Sequence, residues 1–107
     1  MTIQYKWTQS EKVIARRVYN RAYERECINI YNKVKEMLSQ MKDPKDIWKI
    51  EDYLDEERTN VDGKYDYRYS VLVMVFGRLM REGLIEETDL QGLEPEKIAR
   101  IKRISSL

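Results

Sequence analysis

Apolar positions in this chain recur mostly at spacings of three and four, the period of an α-helix. The first such stripe runs Ala15, Tyr19, Ala22, Tyr23, Ile30, Tyr31, Val34, Leu38 and Met41. Thr8-Gln9-Ser10-Glu11 before it has the spacing of a capping box, a hydroxyl followed three residues on by a glutamate. Arg16, Arg17, Arg21, Arg25, Lys33 and Lys35 lie largely off the stripe. The pattern predicts one long helix over about 9–41. Some 33 residues at about 1.5 Å each give about 50 Å, whereas a compact domain of this length spans roughly 35 Å. The helix is therefore expected to overhang its own domain, leaving an apolar stripe that needs a partner, most simply a second copy of the chain. The alternative is a kink that folds the helix back, but no proline or glycine is there to cause one.

Asp43-Pro44 ends this helix and starts the next, because Asp43 can cap and Pro44 suits a first helical position. The second helix is predicted over about 44–58. At about 100° per residue, Ile47, Ile50, Tyr53 and Leu54 fall on one arc and predict its buried face. Trp48 falls about 140° from the centre of that arc, among Glu51, Asp52 and Asp55. Arg58 borders the two faces. A tryptophan ringed by carboxylates is either covered by another element or exposed as a protein-binding spot, a role in which tryptophan is enriched. Val61-Asp62-Gly63-Lys64 reads as a turn.

The run Val71–Phe76 taken alone fits a buried strand. A helix is the better reading, since Leu72, Val75, Phe76 and Leu79 keep helical spacing and Gly83-Leu84 looks like a C-terminal glycine cap. This helix is apolar almost all round and is expected at the centre of the core. Asp89–Gly92 reads as a short turn or a single helical turn. Pro95 then starts a last helix over about 95–105, with Ile98, Ile101 and Ile104 on one side and a basic surface of Lys97, Arg100, Lys102 and Arg103. The expectation is an all-α single domain over 1–107, with a helical head over about 67–105.

Composition agrees with the pattern. Only four glycines and two prolines occur in 107 residues, too few for an all-β fold rich in turns. There is no histidine, which removes histidine-based catalysis and histidine-containing metal sites. Cys27 is the one cysteine, so no intramolecular disulfide forms, and a reducing compartment fits. It has no histidine to activate it and reads as a small packing residue. MTIQYKWTQS holds no apolar signal core, and no stretch reaches the roughly 18 apolar residues of a membrane span.

Net charge is +1, but it is unevenly distributed. Residues 1–42 carry nine Lys/Arg against four Asp/Glu, and residues 43–66 carry four against nine. Either these stretches neutralise each other within one fold or they present separate charged faces that steer partners. Tyr65, Tyr67 and Tyr69 beside Lys64 and Arg68 could stack bases, but Asp62 and Asp66 lie among them and the whole chain lacks a basic footprint. Nucleic acid is not the expected partner. Asp52, Asp55, Glu56 and Glu57 do not match a calcium loop, and no glycine-rich phosphate loop occurs. No cofactor and no metal are implied.

The segments DIWKIEDYL and ERTNVDGKYDYRYSV resemble the fluorescence recovery protein family of cyanobacteria. The likeness covers almost the whole chain, through WTQSE, RAYERE and FGRLMREGL to the basic C-terminal helix. It implies a homodimer and a regulator that is not an enzyme. Such a regulator binds the photoactivated red form of the orange carotenoid protein, mainly at its C-terminal domain, and accelerates its return to the orange form. That frees the carotenoid protein from the phycobilisome and ends non-photochemical quenching. The family tryptophan, aspartate and arginine match Trp48, Asp52 and Arg58, and Glu51 stands where many members have histidine. A second patch, which pairs an aromatic with a lysine, matches Met74 and Arg100. Trp48 and Tyr53, with Tyr31, Val34 and Leu38 of the first helix, are the expected dimer contact, so Trp48 is placed to serve partner binding, dimerisation or both. The competing reading is a dimeric helical adaptor for some other protein. A cytoplasmic location is expected, with any thylakoid contact peripheral and made through the basic face of the first helix.

Overall fold

The computed structural model describes residues 4–107, so the first three residues of the stretch read for a signal core lie outside the described residues. Among the described residues there are four α-helices, two short 3-10 turns and no strand. Helix α1 spans Gln9–Ser39, α2 spans Ile47–Lys64, α3 spans Leu72–Arg81 and α4 spans Pro95–Ser105. The 3-10 turns are Pro44–Asp46 and Glu87–Leu90. The chain forms two compact units. A head unit combines residues up to Glu24 with Asp66–Leu107, and a second unit holds Arg25–Tyr65. Helix α1 contributes residues to both.

The capping box at the start of α1 forms as its spacing predicts. Glu11 N–H donates to Thr8 Oγ1, and Thr8 N–H donates to Glu11 Oε1, each at 3.1 Å. Asp43 caps the 3-10 turn and accepts from Lys45 N–H at 2.9 Å, with Pro44 at the first position. Helix α3 ends in a Schellman motif. Gly83 has φ +77°, Leu84 N–H donates to Leu79 C=O at 2.9 Å and Gly83 N–H to Met80 C=O at 3.0 Å.

Three expectations are corrected. Helix α2 does not stop near 58 but runs through Val61-Asp62-Gly63 to Lys64. The physical reason is the end of the helix itself: Lys64 is buried, and its Nζ reaches Glu26 on α1 at 2.5 Å. That pair and the buried Val61 hold the last turn helical in spite of the glycine. Second, Lys97 is not part of a basic surface. It is 1 % exposed and counts among the largest fully buried side chains. Third, α3 is central but not covered all round. Leu72, Val73, Val75, Phe76 and Leu79 are buried, while Met74 is 65 % exposed. The close approach that seats α3 on α4 is at Gly77, where an added Cβ would lie 2.3 Å from Ile104 Cγ2.

The two units differ sharply in core. Among the described residues, all but two of the buried apolar side chains belong to the head unit, Ile50 and Val61 being the two that do not. The four buried residues of α1 are Glu11, Ala15, Val18 and Ala22, all in the part that belongs to the head. The tyrosines considered for base stacking are packed instead. Tyr67 meets Tyr19 edge-on at 4.8 Å and Tyr69 at 5.5 Å, and the Arg16 guanidinium lies 3.6 Å from the Tyr67 ring centre. Burial, followed by the neighbouring Tyr69, pushes the Tyr67 phenol up to about 12.

Candidate functional site

Helix α2 carries the first candidate face. Trp48, Glu51, Asp52 and Asp55 stand at steps of three and four, which places them on one stripe of the helix. All four are exposed, and the Trp48 side chain is 64 % accessible. This agrees with the angular reading that set Trp48 among acids on the polar side. The opposite arc is less covered than the pattern predicts. Ile50 is buried and Tyr53 half-buried, but Ile47 and Leu54 are each 41 % exposed. Within its own unit, where Ile50 and Val61 are the buried apolar side chains, this arc finds little to pack against.

Arg58 is exposed one turn before Asp62, and its Nε–H donates to that carboxylate at 3.2 and 3.3 Å. Exposed i,i+4 pairs of this kind contribute only about 0.3–0.5 kcal/mol, so the guanidinium is readily exchanged onto another acceptor. Among the described residues, neither Glu51 nor Asp52 forms an ion pair, which leaves two carboxylates beside an open indole. No group of three or more acidic or cysteine side chains among the described residues is placed to hold a metal ion. The face offers a flat apolar ring, two acceptors and a donor fork. These groups are able to make apolar contact and charge-assisted hydrogen bonds.

The expected dimer residues all fall in the same unit and stay largely open. Tyr31 and Leu38 are exposed, Val34 and Tyr53 half-buried. Burial, then the nearby Glu57, raises the Tyr53 phenol above its ordinary value. Cys27, read from sequence as a packing residue, is exposed on α1, because no residue in the Arg25–Ser39 part of that helix is buried.

The second candidate patch is in the head unit. Met74 stands exposed on α3 and Arg100 half-exposed on α4. Sequence reasoning missed what anchors this stretch of α4. Lys97, one turn before it, donates to Glu11 Oε1 at 2.8 Å and Oε2 at 2.9 Å, and also to the Lys6 carbonyl. Glu11 Oε2 accepts from Glu94 N–H at 3.0 Å, and Lys97 Nζ lies 4.7 Å from the Trp7 ring centre. Burial pushes the Glu11 carboxyl up, but hydrogen bonds from Lys97, Glu94 and Thr8 outweigh it and hold the group below its ordinary value. One signal for this was present in the sequence. Lys97 stands four and seven residues before Ile101 and Ile104, on the apolar stripe of α4.

Comparison with known proteins places this architecture. The model of the photoprotection regulator fluorescence recovery protein matches residues 7–105. The fluorescence recovery protein of Synechocystis is 36 % identical over 106 residues, covering 99 % of this chain and 97 % of the relative. The solved fluorescence recovery protein of Fremyella diplosiphon superposes with a TM-score of 0.87 at 35 % identity, over 95 % of this chain and all of that one. An arginine-to-lysine mutant of the Synechocystis protein superposes with a TM-score of 0.88 over the same shares, at 35 % identity. The family model over residues 7–105 and the relatives at 35–36 % identity with the same all-α fold lead to one conclusion: the chain belongs to the fluorescence recovery protein family, regulators of photoprotection that are not enzymes.

Proposed function

We propose that the chain binds the photoactivated red form of the orange carotenoid protein, mainly at its C-terminal domain, and speeds its return to the orange form. The carotenoid protein then leaves the phycobilisome and quenching ends. Membership of a family of photoprotection regulators supports this reading, and the observation that carries it on this chain is the open Trp48 face of α2. Trp48 fills an apolar groove of the partner and supplies most of the affinity. Asp52 and Arg58 orient the partner through charge-assisted hydrogen bonds, with Glu51 adding a further carboxylate beside them. Met74 and Arg100 form the second contact, in the head. Nothing is bonded or cleaved: a protein that prefers the conformation leading back to orange shifts populations and lowers a barrier between domain arrangements.

The chain acts as a homodimer in this proposal, joined through Tyr31, Val34 and Leu38 of α1 with Trp48 and Tyr53 of α2. No helix among the described residues is long and apolar enough to cross a membrane. Any contact with the thylakoid surface is peripheral, through bases of α1 such as Arg17 and Lys35. The experiment is to mix the purified protein with photoconverted orange carotenoid protein and follow red-to-orange recovery by absorbance in the dark. Saturable acceleration that falls in Trp48→Ala is the expected result. No acceleration by a folded dimer would assign the fold to another protein partner.

A further inference from the structure

The α4 surface of the head unit holds a hollow of about 230 Å³ lined by Tyr5, Glu96, Ala99, Arg100 and Arg103. Its two guanidiniums are set apart from the other bases around them. Lys97 is bound to Glu11 and Lys102 to Glu87 at 3.2 Å, whereas neither Arg100 nor Arg103 forms an ion pair among the described residues. The segment that brings Tyr5 to the hollow is tied down beside it. Lys97 holds the Lys6 carbonyl and lies over the Trp7 ring, so the segment carrying Tyr5 is tied to α4 one turn from Arg100.

We infer that this hollow is a seat for a carboxylate side chain of a protein partner, held by Arg100 and Arg103 and walled by Tyr5. Paired guanidiniums match a carboxylate in shape and charge. The hollow is smaller than the roughly 300–1,000 Å³ of small-molecule pockets, which fits a side chain better than a free metabolite. Glu96 on its rim and the near-neutral charge of residues 67–107 disfavour a polyanion such as nucleic acid or an anionic lipid surface, which needs many basic contacts. In the cell the seat rests on the proposed function and extends the head contact from Arg100 to Tyr5 and Arg103, with Lys97 as a positioning residue.

The test is an NMR titration of the isotope-labelled full chain with tetraglutamate, alongside tetraglutamine and inorganic phosphate. Saturable shifts at the Nε–H groups of Arg100 and Arg103 and at Tyr5 are expected with tetraglutamate alone. Arg103→Ala should weaken binding about tenfold, and Lys102→Ala, an equal loss of charge on the same helix, should leave it unchanged. Absent shifts, shifts spread equally over Arg17 and Arg58, or an equal response to phosphate overturn the seat. A second arm measures dark recovery of the photoconverted carotenoid protein. Arg103→Ala and Tyr5→Ala should raise several-fold the concentration needed for half-maximal acceleration. If both match a wild-type protein that accelerates recovery, the partner does not use the seat and the inference fails. If wild type itself gives no acceleration, the proposed function fails, and the peptide titration decides the seat independently.

Discussion

Trp48 is exposed although it is the kind of side chain that folding normally removes from water. Truncating it should therefore leave the head unit intact while removing a large share of partner affinity. Hot-spot tryptophans cost at least about 2 kcal/mol on truncation, roughly a thirtyfold change in affinity. Trp48→Ala is expected to keep its far-ultraviolet circular dichroism and lose acceleration of dark recovery; an unaltered dose response would remove Trp48 from the partner contact. Glu11 and Lys97 are the opposite case, two charges buried against each other. Lys97→Met strands a carboxylate among groups arranged for a salt bridge, and breaking a buried pair in this way costs about 3–5 kcal/mol. Acid acts on the same pair. Folded Glu11 titrates below its ordinary value of 4.5. Its stabilisation is therefore complete above that pH and is lost as the pH falls through the lower folded value. Melting measured from pH 7 down to pH 3 should show a drop below about pH 4.5 that is smaller in Glu11→Gln. Equal acid sensitivity in the two proteins would place the effect on other carboxylates.

At the scale of elements, two glycines predict opposite outcomes. Gly63 lies in the last turn of α2, with nothing within 4 Å of an added Cβ and no positive φ. Gly63→Ala should stabilise by roughly 0.5–1 kcal/mol, since glycine costs backbone entropy in a helix. Gly77→Ala drives a methyl group into Ile104 and should destabilise by about 1–3 kcal/mol. Chemical denaturation of the two variants side by side checks both signs. The same positions mark how far elements were legible in the sequence. Helical period, the Thr8 capping box and the Gly83 cap are local signals, and the structure follows each of them. The end of α2 was not legible, because Gly63 reads as a turn until Lys64 is known to meet Glu26, 38 residues away in the chain. Lys97 was misplaced for a similar reason. A lysine is a surface residue by default, and only a carboxylate brought in from the other end of the chain makes its burial tolerable.

For the molecule as a whole, the decisive feature is the contrast between its two units. The head holds most of the buried apolar side chains, whereas none of residues 25–39 of α1 is fully buried. Tyr31 is 61 % exposed and Leu38 48 %. The stripe read from the sequence is buried at Ala15 and Ala22 and exposed at Tyr31 and Leu38, and no local signal says what meets its exposed part. In the homodimer proposed above a second copy meets this surface, since one stripe on both subunits is self-complementary under a twofold axis. A stable interface of this kind buries about 800 Å² per partner, and a new charge at its centre is desolvated without a match. If the chain sediments as the proposed dimer, Tyr31→Glu and Leu38→Glu together should convert it to monomer at micromolar concentration. The head, whose core contains neither residue, should keep its helical circular dichroism. A double variant that still sediments as a dimer would move the subunit contact off α1. It would leave that open stripe, like the Trp48 face, to the protein partner.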